Sequence, residues 1–193
     1  MKICVYGAAS PTIDDIYKLK VEELGREMVS RGHSLVFGGG IHGLMGAVAK
    51  GVHSAGGEII GVVPSFFIDE KIEAICDFCN ELILTETMRE RKQIMEDNAD
   101  AFIIVPGGIG TFEEFFEILT LKQLCRHNKP IVIYDVENYY DDINNVMEQA
   151  IKKNFVKENC FELYQVTNDL ETVFKYVEAP QKTFDSVHEL KEG

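Results

Sequence analysis

The sequence lacks any apolar run approaching the roughly 18 residues that a membrane span needs. Met1-Lys2 opens onto a short strand-like run rather than a secretory hydrophobic region. A soluble, cytoplasmic protein with no membrane partner is expected. Basic residues are in the minority, 19 Lys+Arg against 32 Asp+Glu, giving a formal net charge of −13. No Lys/Arg cluster offsets that acidity, which repels a phosphate backbone at long range and makes nucleic acid a poor partner. Cysteine is sparse and odd in number (Cys4, Cys76, Cys79, Cys125 and Cys160), so a disulfide framework is not expected. Cys76-Asp77-Phe78-Cys79 is a lone C-x-x-C without a second pair, which favours a structural or incidental role over metal or redox chemistry. His33, His42, His53, His127 and His188 match no ligand spacing, so no metal site is expected.

Several catalytic and nucleotide motifs are also missing. There is no G-x-x-x-x-G-K-[ST], which excludes a Walker-type NTPase, and no G-x-S-x-G elbow to support a serine hydrolase. After the first apolar run comes Gly7-Ala8-Ala9-Ser10 rather than G-x-G-x-x-G. Gly108-Ile109-Gly110 continues to Glu113 where a third glycine would fall, so a dinucleotide-binding enzyme is disfavoured.

What is present is an alternation. Apolar runs of strand length, Ile3–Tyr6, Ser34–Phe37, Glu58–Val63, Leu82–Thr85, Ala101–Val105, Ile131–Tyr134 and Leu163–Val166, are separated by helix-length segments. This predicts one doubly wound, Rossmann-like α/β domain over residues 1–180, with a parallel sheet covered by helices on both faces. Ile16, Leu19, Leu24 and Met28 carry the helical period after Asp14-Asp15, and Gly32 is placed to end that helix. Residues 181–193 have few apolar side chains and are expected to form a flexible tail.

Two glycine groups stand where predicted strands hand over to predicted helices, the positions at which α/β sheets bind ligands. Gly38-Gly39-Gly40 with Gly43-Leu44-Met45-Gly46 follows the run ending at Phe37 and opens a helix to about Ala55. Close backbone approach to a ligand and a tight turn with close helix packing both account for it. Pro106-Gly107-Gly108-Ile109-Gly110-Thr111 follows Ile103-Ile104-Val105 and leads into a helix expected near Phe112. Successive N–H groups with a helix N-terminus behind them make a concave anion site suited to phosphate. Thr111 is expected to cap that helix and offer its hydroxyl to the anion.

Charged residues occupy awkward positions nearby. Met88, Arg91, Lys92 and Met95 stand at i, i+3, i+4 and i+7 and share one face, so Arg91 lies in an apolar stripe. A guanidinium there needs an anionic partner unless its head snorkels to water. In the next helix Phe112, Phe115, Phe116 and Leu119 are the expected core face, with Glu113 and Glu117 pointing away. Acidic residues at a helix start are ordinarily stabilised by the macrodipole. Glu114, however, shares a flank with Ile118 and Leu121, which suggests a second buried surface such as a subunit contact, with Glu114 at its rim beside the phosphate loop. A carboxylate near a bound phosphate is unfavourable by charge alone and points to a catalytic reason.

Together, Gly38–Gly40 with Gly43–Gly46, Met88-Arg89-Glu90-Arg91-Lys92, and Pro106-Gly107-Gly108-Ile109-Gly110-Thr111-Phe112-Glu113-Glu114 resemble the Lonely Guy family of cytokinin-activating phosphoribohydrolases, long labelled "lysine decarboxylase-like". The resemblance runs from about Lys2 to Asn168, and every fixed position of the family's PGGxGTxxE signature matches. It implies cleavage of the N-glycosidic bond of a nucleoside 5′-monophosphate, cytokinin riboside 5′-monophosphate or AMP, to free base and ribose 5-phosphate. A homodimer or higher homo-oligomer is implied, without a cofactor. Arg91 and Glu114 fall on the family's catalytic pair. Gly107, Gly108, Gly110 and Thr111 would hold the phosphate, and Lys92, Thr120, Glu113, Gly39, Gly40, Ser10 and Met88 complete the implied substrate contacts. Two departures are visible: Arg89 stands where members usually have His, and the stretch between Pro64 and Leu84 is unlike typical members. The same glycine loops would also serve a carrier of nucleotide or molybdenum cofactor, whose fold the chain resembles and which needs no Arg91–Glu114 pair. Amino-acid decarboxylation would require a Schiff-base lysine, and no lysine sits in a motif that identifies one.

Overall fold

The computed structural model describes residues 1–184 and 186–191. Seven strands form one sheet: β1 (Lys2–Tyr6), β2 (Ser34–Phe37), β3 (Ile59–Pro64), β4 (Glu81–Thr85), β5 (Ala101–Ile104), β6 (Ile131–Tyr134) and β7 (Gln165–Thr167). Their order is β4-β3-β2-β1-β5-β6-β7, and every pairing is parallel. β1, β2, β3, β5 and β6 read as nearly unbroken apolar runs because both of their faces are covered.

The pleat sorts alternate residues into two cores. Ile3 and Val5 of β1, with Leu35 and Phe37 of β2, meet Leu24 and Met28 of α1 (Asp15–Ser30), Val48 and Val52 of α2 (Gly43–Ser54) and Phe174 of α7 (Leu170–Glu178). Cys4, Tyr6 and Phe102 point the other way, toward Met95 of α4 (Met88–Asn98), Phe115 and Ile118 of α5 (Ile109–Gln123) and Met147 of α6 (Asp141–Lys152). Two short α-helices, α3 (Ser65–Asp69) and α8 (His188–Lys191), and two 3-10 turns, Val136–Asn138 and Glu158–Leu163, complete the elements of the described residues. In the stretch expected to form a tail, Phe184 and Leu190 pack on the second core, and Cys160 Sγ donates to Leu190 O at 3.4 Å. Residues 185, 192 and 193 of that stretch lie outside the described residues.

Helix faces required correction. Along α1 the buried stripe is Val21, Leu24, Gly25 and Met28, whereas Ile16 and Leu19 are exposed. The face that turns inward in the first two turns carries Tyr17, which packs on the core, and α1 and α2 approach closely through Gly25 and Gly51. A Cβ on Gly51 would stand 2.1 Å from Glu22 O. Gly32 does follow the helix, with φ +76°.

α5 begins at Ile109, three residues earlier than expected, with Gly108 at its N-cap and no side-chain cap. Thr111 therefore lies in the first turn instead of capping it. Gly-Gly-Ile-Gly reads as loop in sequence, yet glycine tolerates the cap geometry and the helix nucleates on the packing of Phe115 and Ile118. Phe115, Ile118, Leu119 and Lys122 form its buried face, while Phe116 is 40% exposed. Ile118 is fully buried in this core, so that part of the flank carrying Glu114 belongs to the core, while Leu121 farther along is half-buried.

Candidate active site

Strand order reverses at β1 and β5, and the crevice at their carboxyl ends is where such sheets take ligands. The loops after β1, β2 and β5 meet there: Ala8 N donates to Pro106 O at 3.0 Å, and Leu44 N donates to Ala8 O at 2.8 Å. Between them lies a cleft of about 350 Å³, large enough for a small nucleotide, lined among others by Arg91, Glu114, Glu73, Gly40, Gly108 and Thr111.

The phosphate-loop end is built from backbone. Gly108 and Gly110 line the cleft, and a Cβ on either would meet nothing within 4 Å, so the first turn of α5 faces open space with its unpaired N–H groups. Gly107 is glycine for another reason: a Cβ would stand 2.1 Å from Thr111 Oγ1. Tyr139 Oη donates to Gly107 O at 2.8 Å and Tyr140 Oη donates to Val105 O at 2.9 Å, which ties the turn to the strand beneath it. An adjoining cavity of about 340 Å³ shares Ala8, Ser10 and Gly108 with the cleft and reaches Gly107, Tyr17 and Tyr139.

Arg91 comes from α4, whose start is fixed by Thr87: its hydroxyl accepts from Glu90 N at 3.1 Å, and Glu90 Oε2 reaches back to accept from Glu86 N at 2.8 Å. The Arg91 guanidinium is buried, donating from Nε to Val62 O at 3.1 Å and from Nη2 to Gly38 O at 3.4 Å, with Phe67 beneath it at 5.7 Å. Two of its five N–H groups are used in this way, leaving donors for a ligand oxygen or carboxylate. Glu114 faces it from α5. Among the described residues no ion pair joins Arg91 to Glu114, and the guanidinium is held by main-chain carbonyls. Burial pushes the Glu114 carboxyl up to about 7, against the opposing pull of Arg91.

The family model described as "Possible lysine decarboxylase" matches residues 45–177. A cytokinin riboside 5′-monophosphate phosphoribohydrolase of Mycobacterium tuberculosis is 38% identical over 173 residues, 90% of this chain and 91% of that protein. The chain belongs to this family. Its members include a probable cytokinin riboside 5′-monophosphate phosphoribohydrolase of rice (Oryza sativa subsp. japonica), 39% identical over 80% of this chain. The chain spans 62% of that relative's length. An Arabidopsis thaliana relative of the same activity name is 32% identical over 96% of this chain and 81% of its own. Among solved structures, the molybdenum cofactor carrier protein of Chlamydomonas reinhardtii superposes with a TM-score of 0.66 over 92% of this chain and 95% of its own. At 22% identity that likeness shows the fold.

Within this family framework the expected contact residues divide. Arg91, Glu114, Gly40, Gly108, Gly110, Thr111 and Ser10 line the cleft, and Gly107 lines the adjoining cavity. Gly39 lines neither cavity; its φ is +80°, and a Cβ there would strike Val63. Lys92 does not line the cleft: its side chain, 13% exposed, bonds Glu113 Oε1 at 2.5 Å and Glu117 Oε2 at 2.6 Å in a cluster that joins α4 to α5. Met88 is 38% exposed and Thr120 is also exposed, and neither lines the cleft. Phe67, from the short helix α3, and Glu73, from the irregular stretch after it, line the cleft without having been expected there, because the sequence between Pro64 and Leu84 carries no motif or period.

Proposed function

We propose that this chain hydrolyses the N-glycosidic bond of a nucleoside 5′-monophosphate, either a cytokinin riboside 5′-monophosphate or AMP, releasing the base and ribose 5-phosphate. The observation that carries this reading is the meeting of Arg91 and Glu114 in the cleft beside the N-terminal turn of α5. The activity named for the relatives at 32–39% identity points the same way. Phosphate sits on the N–H groups of Gly108–Thr111, and the ribose lies across Arg91 and Glu114.

Breaking the C–N bond develops an oxocarbenium-like charge on the anomeric carbon. An ionised Glu114 stabilises that charge and takes the proton of the attacking water, the base departs with the C–N electron pair and gains a proton from solvent, and a carboxyl near 7 suits the role of Glu114 at neutral pH. Arg91 stays charged and does not donate a proton; it holds the substrate and orients Glu114. The phosphate undergoes no chemistry, so its binding energy is available to position the reacting bond. Hydrolysis in a cytoplasmic homodimer or larger homo-oligomer completes the reading.

A carrier would use the same loops without the pair, and the solved carriers support it through fold alone. Decarboxylation through a Schiff base has no candidate residue, since no lysine lines the cleft among the described residues. The test compares AMP with adenosine. A kcat/KM at least ~100-fold higher for AMP is expected, the phosphate being the anchor; equal values would refute the phosphate-anchored mechanism.

A further inference from the structure

The adjoining cavity of about 340 Å³ has no part in the chemistry above. Neither Arg91 nor Glu114 lines it, and it shares with the cleft only Ala8, Ser10 and Gly108, so the phosphate turn stands between the two. Its walls are mostly apolar. Tyr17 of α1 and Tyr139, which follows β6, meet edge to face with 6.5 Å between ring centroids, and Leu44 and Pro106, both buried, line the same space. Both rings are held in place: Tyr17 packs on the first core, and the Tyr139 hydroxyl donates to Gly107 O. A fixed aromatic corner gives a planar ring one face to stack on and one edge to meet, without the cost of ordering the side chains.

Charge narrows the guest. Among the described residues no Lys, Arg or His lines this cavity, so a phosphate or carboxylate entering it meets no counter-ion, whereas the cleft offers Arg91. The polar groups are the hydroxyls of Ser10 and Thr12, 3.0 Å apart, and the carboxylate of Asp14. Asp14 stands at the N-cap of α1, yet its side chain caps nothing, which leaves its oxygens open to an N–H donor. Hydroxyls that can donate, a carboxylate that accepts and an aromatic corner suit a flat, uncharged ring with both N–H groups and ring nitrogens.

We infer that this cavity is a second site, which binds a free aminopurine base in the Tyr17–Tyr139 corner while a nucleotide occupies the cleft. It rests on the phosphoribohydrolase reading for what fills the cleft and for the base as the product released beside it. The base stacks on tyrosine through its π-face, its N–H groups donate to Asp14, and the hydroxyls of Ser10 and Thr12 donate to its ring nitrogens. Phosphate in the cleft and base in the cavity then lie on two sides of Gly108, and neither displaces the other.

The test is equilibrium dialysis of labelled adenine against Glu114→Gln protein saturated with AMP, so that the cleft is filled and the nucleotide survives. One adenine per chain should bind, with a dissociation constant that changes by less than about twofold when AMP is raised about tenfold further. Adding Tyr17→Ala should weaken adenine about tenfold or more and leave AMP affinity unchanged. Tyr17 also packs on the core, so Thr12→Trp is the companion variant: it fills the cavity from an exposed position and should cause the same loss with an unchanged unfolding midpoint. Orotate, planar but anionic, should not bind. Adenine displaced in proportion to added AMP would put it in the cleft and overturn the inference. So would no binding up to about 1 mM, full adenine affinity in Thr12→Trp, or orotate bound as tightly as adenine. Adenine bound beside AMP would stand even if the wild-type protein released no base, so this outcome is separate from the hydrolase reading.

Discussion

Glu114→Gln should remove turnover and, at neutral pH, make the protein more stable. The Glu114 carboxyl moves from an ordinary 4.5 to about 7 in the fold because it is buried beside Glu113 and Glu117, with Arg91 only partly compensating. At about 1.4 kcal/mol per tenfold change in proton affinity, the ionised group costs the folded state roughly 3 kcal/mol. The sign follows from a folded pKa above the unfolded one: the cost is absent below 4.5, grows as pH rises toward 7, and is complete above it. The amide carries no charge and escapes this dependence, while every other titrating group is shared by both proteins. Roughly 2 kcal/mol of relative stabilisation should therefore appear between pH 5.5 and pH 8. For a chain of this size that corresponds to a melting temperature difference widening by about 4–8 °C. Thermal unfolding of both proteins across that range is the assay. A difference that stays constant, or shrinks as pH rises, would refute the claim that Glu114 is a buried carboxylate held at a cost for catalysis.

Three further outcomes are expected. The kcat/KM for AMP should rise about tenfold per pH unit at low pH and level off above about 7, and the residual activity of Arg91→Gln should show this limb moved upward, since Arg91 lowers the Glu114 pKa; a flat profile would contradict Glu114 as the base. Gly108→Ala places a methyl group in open space and should keep its unfolding midpoint while losing nucleotide affinity, whereas Gly107→Ala drives its Cβ against Thr111 and should lose both; equal behaviour of the two would argue against the phosphate turn. Gly51→Ala, remote from the cleft, forces α1 and α2 apart at Glu22 O and should cost about 1–3 kcal/mol in denaturant unfolding with KM unchanged.

The strands were legible because both sheet faces are covered, which turns each strand into a short apolar run; Ser34–Phe37 and Ile131–Tyr134 end where the run ends. Helix faces were less legible, because Ile16 and Leu19 fit a helical period with Leu24 and Met28, yet the stripe that packs runs through Tyr17, Val21, Leu24 and Met28 and leaves them exposed. The start of α5 was misplaced since a glycine N-cap carries no side-chain signal. Arg91 and Glu114 stood out as charges on apolar faces, and the fold brings those faces to one crevice. Lys92 had the same spacing signal, yet Glu113 and Glu117 hold it between α4 and α5, off the cleft. Glu73 left no trace in the pattern: its position depends on a backbone clamp between residues more than thirty apart in sequence.

The most direct test is chromatography of AMP and N6-isopentenyladenosine 5′-monophosphate after incubation with the wild-type protein and with Glu114→Gln. Free base and ribose 5-phosphate from the wild type, with release falling at least ~100-fold in the variant while nucleotide still binds, is the predicted result. Intact nucleotides in both samples despite measurable binding would contradict the hydrolase account and leave a carrier in its place.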